Sequence, residues 1–280
     1  MENLLLLLYN IYVKNKIRSE AMQLDLNSIL KNTNGFSFSP NHFSNEMSVE
    51  IEARHKSLNR VLNKYITEDT LIIETAAGLS PRHLQFKNYN YYELDFNPII
   101  DIKKAIYTAM GYEALNNSLY GLDITNISKL HSVIDKIINL KQYSKTIILS
   151  EGLFWYLTKD QIKNITNEFA NVFKNMDWIW ITSDCPPQDN NEAEYRNIIA
   201  NSAKVKKGGT FLDYDDFSTF FNGLGLNNTR YKLSDFLEYK DLTSAQLLSF
   251  EENKTIKKIN TYADIAVLYD LENSLLDWEV

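Results

Sequence analysis

Three acidic residues each close an apolar run: Asp95 after Tyr92-Glu93-Leu94, Asp123 after Gly121-Leu122, and Glu151 after Thr146 to Ser150. A carboxylate there can accept hydrogen bonds from hydroxyls and amines. Ahead of them runs Glu74-Thr75-Ala76-Ala77-Gly78-Leu79-Ser80-Pro81-Arg82, a turn of small residues that lets a ligand approach the backbone. Asp95 lies 17 residues beyond Gly78, the place of a carboxylate that takes ribose hydroxyls. Asp123, with Ile124 beside it, offers a carboxylate for an exocyclic amine and an apolar wall for a base. The G-x-G-x-x-G fingerprint of dinucleotide binding is absent, since Gly78 is the turn's single glycine. That argues against a pyrophosphate and for a smaller nucleoside cofactor. An acidic residue that ends a strand is also an ordinary turn former, so the weight rests on the ordered set.

The elements that must position these residues follow from periodicity. Apolar runs at Thr70 to Ala76, Asn90 to Asp95, Ser118 to Asp123, Thr146 to Glu151 and Trp178 to Asp184 read as strands, with helical patterns between most neighbours. That alternation marks an α/β fold, doubly wound around a parallel sheet whose ligands sit beyond the strands' carboxyl ends. Ile127, Leu130, Ile134, Ile137 and Ile138 share one helical face, as do Ile162, Ile165, Phe169, Val172 and Phe173. Thr158 and Gln161 have the spacing of a capping box. Phe43 to Ile66 reads as a helix with Val49, Ala53, Val61, Leu62 and Tyr65 on one face. Ala263 to Tyr269 reads as a closing strand, with helical stretches near Phe217 and Phe236 before it.

We expect one domain: a helical N-terminal cap over 1–66, a cofactor-binding core over 67–185, a cap or insertion over 186–230 and the C-terminal end of the core over 231–280. The insertion is suggested by Pro186, Pro187, several Asn and the basic cluster Lys204, Lys206 and Lys207 after strand five. The 280 residues are 44% hydrophobic and 23% charged, enough for a sizeable core. Against 36 Asp and Glu stand 29 Lys and Arg, a net charge of −7 that disfavours nucleic acid. One cysteine, Cys185, excludes an intrachain disulfide and fits a reducing, cytoplasmic compartment. The apolar run Leu4 to Val13 is too short and poorly flanked for a membrane span, and reads as a packed helix.

With these residues in view, the chain resembles the leucine carboxyl methyltransferase-like group of class I methyltransferases, which includes bacterial and polyketide-pathway O-methyltransferases. The likeness runs from about Ala53 to Phe173. It rests on Ala53-Arg54 in the helix before the first strand, the Ala77-Gly78 turn, Tyr92-Glu93-Leu94-Asp95, Leu122-Asp123 and Ser150-Glu151-Gly152-Leu153-Phe154-Trp155-Tyr156-Leu157. The last stretch is the most specific. The resemblance implies a mostly parallel, seven-stranded Rossmann-like sheet, and S-adenosyl-L-methionine as cofactor with S-adenosyl-L-homocysteine as product. Arg54 would hold its carboxylate, Asp95 its ribose and Asp123 with Ile124 its adenine. Glu151 would lie near the cationic end, and Glu74, Ala76 and Gly78 would form the cofactor turn. Tyr156 would line the substrate pocket.

Other roles stand beside these. Arg54 could pair with Glu50 on its own helix, Glu151 could serve as a structural acceptor, and Tyr156 could be a buried aromatic. The family usually carries two glycines in the first turn, followed by Asp-Thr. Here Ala76 replaces one glycine, which is tolerable at negative φ, and Ser80-Pro81 stands in the Asp-Thr place. Arg82 is then an alternative anchor for an anionic substrate.

Methyl transfer from a sulfonium is an in-line displacement that calls for alignment and water exclusion, not a metal. A carboxylate acceptor needs no base; a hydroxyl acceptor benefits from one, with His55, His83 or Tyr156 as positional candidates. The expected activity is O-methylation of a carboxylate or hydroxyl on a small molecule or a chain terminus. The alternatives are a non-catalytic S-adenosylmethionine-binding sensor or partner subunit and, disfavoured by the missing fingerprint, a nicotinamide-dependent dehydrogenase.

Overall fold

The computed structural model of the chain describes residues 45–186, 210–232, 242, 245, 248–250 and 264–270. Helix α1 (Asn45–Tyr65) leads into strand β1 (Thr70–Thr75), and a single turn of helix, α2 (Arg82–Gln85), follows. Then come β2 (Asn90–Asp95), α3 (Asn97–Ala109), β3 (Leu119–Gly121), α4 (Ile127–Ile138), β4 (Lys145–Ser150), α5 (Lys159–Val172) and β5 (Asp177–Cys185). The described chain closes with α6 (Tyr214–Asn222), β6 (Leu226–Tyr231) and β7 (Asp264–Asp270).

The seven strands form one sheet in the order β3-β2-β1-β4-β5-β7-β6. Strands β1 to β5 pair in parallel, while β7 runs antiparallel to both β5 and β6. From β1 the chain steps outward to β2 and β3, then returns to the other side of β1 to lay down β4. The order reverses between β1 and β4, and the crevice for a ligand opens at their carboxyl ends.

Two-residue periodicity divides the core between the faces. Ile72 packs with Leu58, Val61, Leu62 and Tyr65 of α1, whereas its neighbour Ile73 packs toward α4 and α5, with Leu130, Ile134, Ile165 and Phe169. Each such fully buried apolar side chain contributes roughly 1.5–3 kcal/mol. The expected faces of α4 and α5 point inward. Both arms of the Thr158–Gln161 capping box are formed, which starts α5 just after the short helical turn Phe154–Tyr156.

Within the segment expected to be a cap or insertion over 186–230, the described residues 210–230 include elements of the sheet layer: α6 packs on the sheet through Phe217 and Phe221, and β6 pairs with β7. Strand β6, Leu-Asn-Asn-Thr-Arg-Tyr, is an edge strand with only Leu226 buried, so it needs no apolar run. Helix α1 packs on the sheet through Leu58, Val61, Leu62 and Tyr65. The readings for Leu4 to Val13, for the Lys204 to Lys207 cluster and for Phe236 lie outside the described residues. No helix among the described residues is long and apolar enough to cross a membrane.

Candidate functional site

The turn after β1 reaches the crevice first. Gly78 has φ 53°, and its amide donates to Asp95 Oδ2 at 2.6 Å, which ties the turn to the end of β2. Asp95 Oδ1 accepts from the Phe96 amide at 2.6 Å, so one hydrogen bond falls on each oxygen and lone pairs remain on both. Burial raises the Asp95 carboxyl above its ordinary range, partly offset by the Gly78 and Phe96 amides. Phe96, the next residue along the chain, is 48% exposed. Asp123 closes its own turn: Oδ1 accepts from the amide and hydroxyl of Thr125 at 2.9 and 2.7 Å, while Ile124 is buried against the α4 side of the core.

Ala76 departs from expectation. Its φ is +52°, a left-handed conformation that costs an L-residue roughly 1–2 kcal/mol. The condition of negative φ is not met, and the alanine holds a strained, glycine-like geometry at the mouth of the crevice.

Beneath the turn lies a buried ionic network. Arg82, wholly enclosed, donates through Nη1 to Glu74, through Nε to Asn59 Oδ1 at 2.6 Å and through Nη2 to Glu151 Oε2 at 2.5 Å. Tyr91 donates to the other Glu74 oxygen at 2.7 Å. Arg54 Nε donates to Glu151 Oε1 at 3.0 Å, and His55 lies 3.5 Å from Oε2. Burial alone would raise the Glu151 carboxyl; the charge of Arg54, the His55 hydrogen bond and the charge of Arg82 hold it well below the usual carboxylate range. His55 is lowered by burial and by Arg82. Breaking one member of such a buried set costs about 3–5 kcal/mol, because a partner charge is left uncompensated.

This network reassigns several side chains. Glu74 sits under the turn with both oxygens engaged, and acts on Arg82 and Tyr91 instead of on the ligand face. Arg82 is equally enclosed, which removes it as an anchor for an anionic substrate. His83 belongs to a second buried cluster, with Nδ1 3.1 Å from Glu93 Oε2 and Lys103 on the other Glu93 oxygen. It is stacked on Tyr91 and faces no crevice.

Arg54 and Glu151 do meet at the mouth. Gly152 takes φ +71°, and a Cβ there would lie 3.7 Å from the Arg54 guanidinium, so the glycine keeps the backbone after β4 low over it. Tyr156, half-buried, feels the charges of both Arg54 and Asp184, and burial raises its phenol above the ordinary value.

Asp184, at the end of β5, was not singled out from the sequence. It is 6% exposed; Oδ2 accepts from the Leu153 amide and the Thr182 hydroxyl, both at 3.0 Å, and Oδ1 has no hydrogen-bond partner among the described residues. The available signal was its position, an acidic residue closing an apolar strand.

An open seven-stranded sheet with its ligand turn after β1 and acidic strand ends defines the class I methyltransferase architecture. A crystal structure from Nostoc punctiforme, of a protein provisionally called an O-methyltransferase, superposes with a TM-score of 0.50 at 10% identity, covering 96% of this chain and 72% of that one. The magnesium protoporphyrin IX methyltransferase of Synechocystis, with S-adenosyl-L-homocysteine bound, gives 0.47 at 10% identity, covering 91% and 99%. No individual curated protein matches. The leucine carboxyl methyltransferase family model matches residues 17–170, more than half of the chain. The chain belongs to that family, and is thereby an S-adenosyl-L-methionine-dependent methyltransferase.

Proposed function

We propose that the chain is an O-methyltransferase that binds S-adenosyl-L-methionine across the β1, β2 and β4 ends and methylates a carboxylate or hydroxyl of a small molecule or a chain terminus. The observation that carries this reading is the Gly78–Asp95 tie, which presents a half-buried carboxylate with spare lone pairs, and the exposed Phe96 follows it in the chain. A ribose diol and the edge of a base fit that pair of residues. Arg54 and Glu151 offer opposite charges to the amino-acid end, the guanidinium to a carboxylate and the carboxylate to an ammonium. Asp123 would reach an adenine amine through the oxygen that its turn leaves over.

When bound, the cofactor supplies an electrophilic methyl group on a cationic sulfur. The protein's own work is to align the acceptor and keep water out. The Glu151–Arg54–Arg82 network holds its charges in place before binding, so little reorganisation is required. Tyr156 and the turn Phe154–Tyr156 would form the acceptor side, and the 1–280 chain would act as one methyltransferase domain.

The test is a calorimetric titration with S-adenosyl-L-homocysteine, with NADH as control. Wild type should bind saturably, and Asp95→Ala should bind at least tenfold more weakly, since a hydrogen bond to a charged group is worth about 1.5–3 kcal/mol. Equal affinity in the variant would remove Asp95 from the site; no binding by folded wild type would overturn the assignment.

A further inference from the structure

Asp95 and Gly121 are paired at the ends of β2 and β3, and the Leu122 amide donates to the Asp95 carbonyl at 2.7 Å, so the two strand ends are locked level. Over that junction lies a side chain that nothing above uses. A Cβ at Gly121 would fall on Asn97 Oδ1 and lie 2.9 Å from its Cγ. Gly121 has no positive φ, so its backbone would accept any residue, and glycine is required there by the space that the Asn97 side chain fills. A glycine in a strand gives up side-chain packing and rigidity. The fold gains no hydrogen bond in exchange. Asn97 opens α3 next to Pro98, yet the helix start has no side-chain cap, and the Asn97 side-chain amide bonds to no described residue. It stays exposed, within reach of a ligand.

Position narrows what that amide meets. It stands between Asp95, two residues before it in the chain, and Asp123, two residues past the Gly121 on which it sits. As proposed, Asp95 takes the ribose hydroxyls and Asp123 the exocyclic amine. What an adenosine presents between those two groups is the rim of its base, where the ring nitrogens N3 and N7 are acceptors. An ionised carboxylate cannot bond to such a nitrogen, since both only accept. A primary amide can, because Nδ2 carries two donors. The atoms of Asn97 nearest the Cβ position of Gly121 are Oδ1, Cγ and Cα, so the amino group is turned away from the strand.

We infer that Asn97, seated on Gly121, is a specificity residue of the cofactor site, its amino group donating to a ring nitrogen of the adenine base. The inference rests on the methyltransferase reading and deepens it: two carboxylates serve the sugar and the exocyclic amine, and the amide adds a donor for the ring itself. A site that donates to a ring nitrogen leaves its donor unpaired against a base that carries C–H at that place, and so tells the two apart.

The test is calorimetric titration of the full chain with S-adenosyl-L-homocysteine and with its 3-deaza and 7-deaza analogues, in each of which one ring nitrogen is replaced by C–H. Wild type should bind one of the two analogues about tenfold more weakly than the parent compound, and which one it is identifies the nitrogen. In Asn97→Ala the parent compound should weaken by about the same factor, to the affinity of that analogue, and the preference should disappear. Gly121→Ala, whose methyl takes the place of the amide, should lose the preference too. Were Asn97 only a support for α3, its removal would weaken all three compounds alike and leave the preference standing. That result, or equal binding of all three by wild type, would overturn the inference, and the wild-type comparison decides even where a variant does not fold. Failure of wild type to bind S-adenosyl-L-homocysteine is a separate result, and falls on the methyltransferase reading itself.

Discussion

Glu151 and Asp184 stand at the carboxyl ends of neighbouring strands, both buried, and they are treated in opposite ways. Glu151 is surrounded by Arg54, Arg82 and His55, and its carboxyl is held well below the usual range. Asp184 accepts hydrogen bonds from the Leu153 amide and the Thr182 hydroxyl on one oxygen, its other oxygen has no hydrogen-bond partner among the described residues, and burial pushes its carboxyl up against the charge of Arg54. One carboxylate is hydrogen-bonded by cations, the other by neutral groups. The difference teaches what sets two buried carboxyls apart, because cations in direct contact lower the proton affinity of one while burial raises that of the other.

The largest effect should come from Arg82, which joins Glu74 to Glu151. Arg82→Met removes the shared cation from two buried carboxylates and should lower stability by about 3–5 kcal/mol in chemical denaturation, a large share of the total for a domain. A loss under about 1 kcal/mol would mean that the network is solvated and the contrast with Asp184 unfounded.

Next is Glu151→Gln, at about 3 kcal/mol at neutral pH. The folded-state carboxyl is depressed, so its contribution is complete above the unfolded value of about 4.3 and is lost as pH falls through the lower folded value. The stability gap between wild type and variant should stay flat down to that pH and then narrow. Asp184→Asn should show the reverse. Its carboxyl is raised in the fold, so the wild-type protein carries a penalty at neutral pH that disappears near the unfolded value of about 3.9. The variant should be the more stable of the two at pH 7, with the difference closing toward about pH 4. A destabilised Asp184→Asn protein at neutral pH would place Asp184 with Glu151 as a structural group.

The sequence exposed one member of this pair and hid the other for a physical reason. Asp95, Asp123 and Glu151 follow strands whose apolar runs and intervening helices are plain, and their order on successive strands is what a crevice beyond the carboxyl ends requires. Asp184 ends a strand just as apolar, yet its hydrogen bonding depends on Trp180, Ser150 and Thr182 lying in one line across two strands, which is register and not pattern. Glu74 reads from the sequence as part of the cofactor turn and Arg82 as an anchor for an anionic substrate, whereas their pairing and burial beneath the turn depend on Asn59 and Tyr91 closing over them from α1 and β2. Strand β6 escaped because an edge strand can be built from Asn, Thr and Arg.

The smallest effect concerns the turn after β1, where two adjacent alanines should respond with opposite signs. Ala76 is held at φ +52°, which a glycine adopts freely, whereas Ala77 has no positive φ and is 2% exposed. Ala76→Gly relieves roughly 1–2 kcal/mol of left-handed strain, but the more flexible unfolded chain takes back about 0.4–1 kcal/mol and the half-buried methyl is lost. The net should be a gain of about 0.5 kcal/mol, read as a slight rise in melting temperature. Ala77→Gly has the entropic cost and the lost packing with no strain to release, and should lower stability by about 1 kcal/mol. Equal losses in the two variants would show that the alanine at 76 fits its place without strain. The opposite signs would show that strain sits in the turn after β1 at Ala76 alone, one residue from the well-packed Ala77.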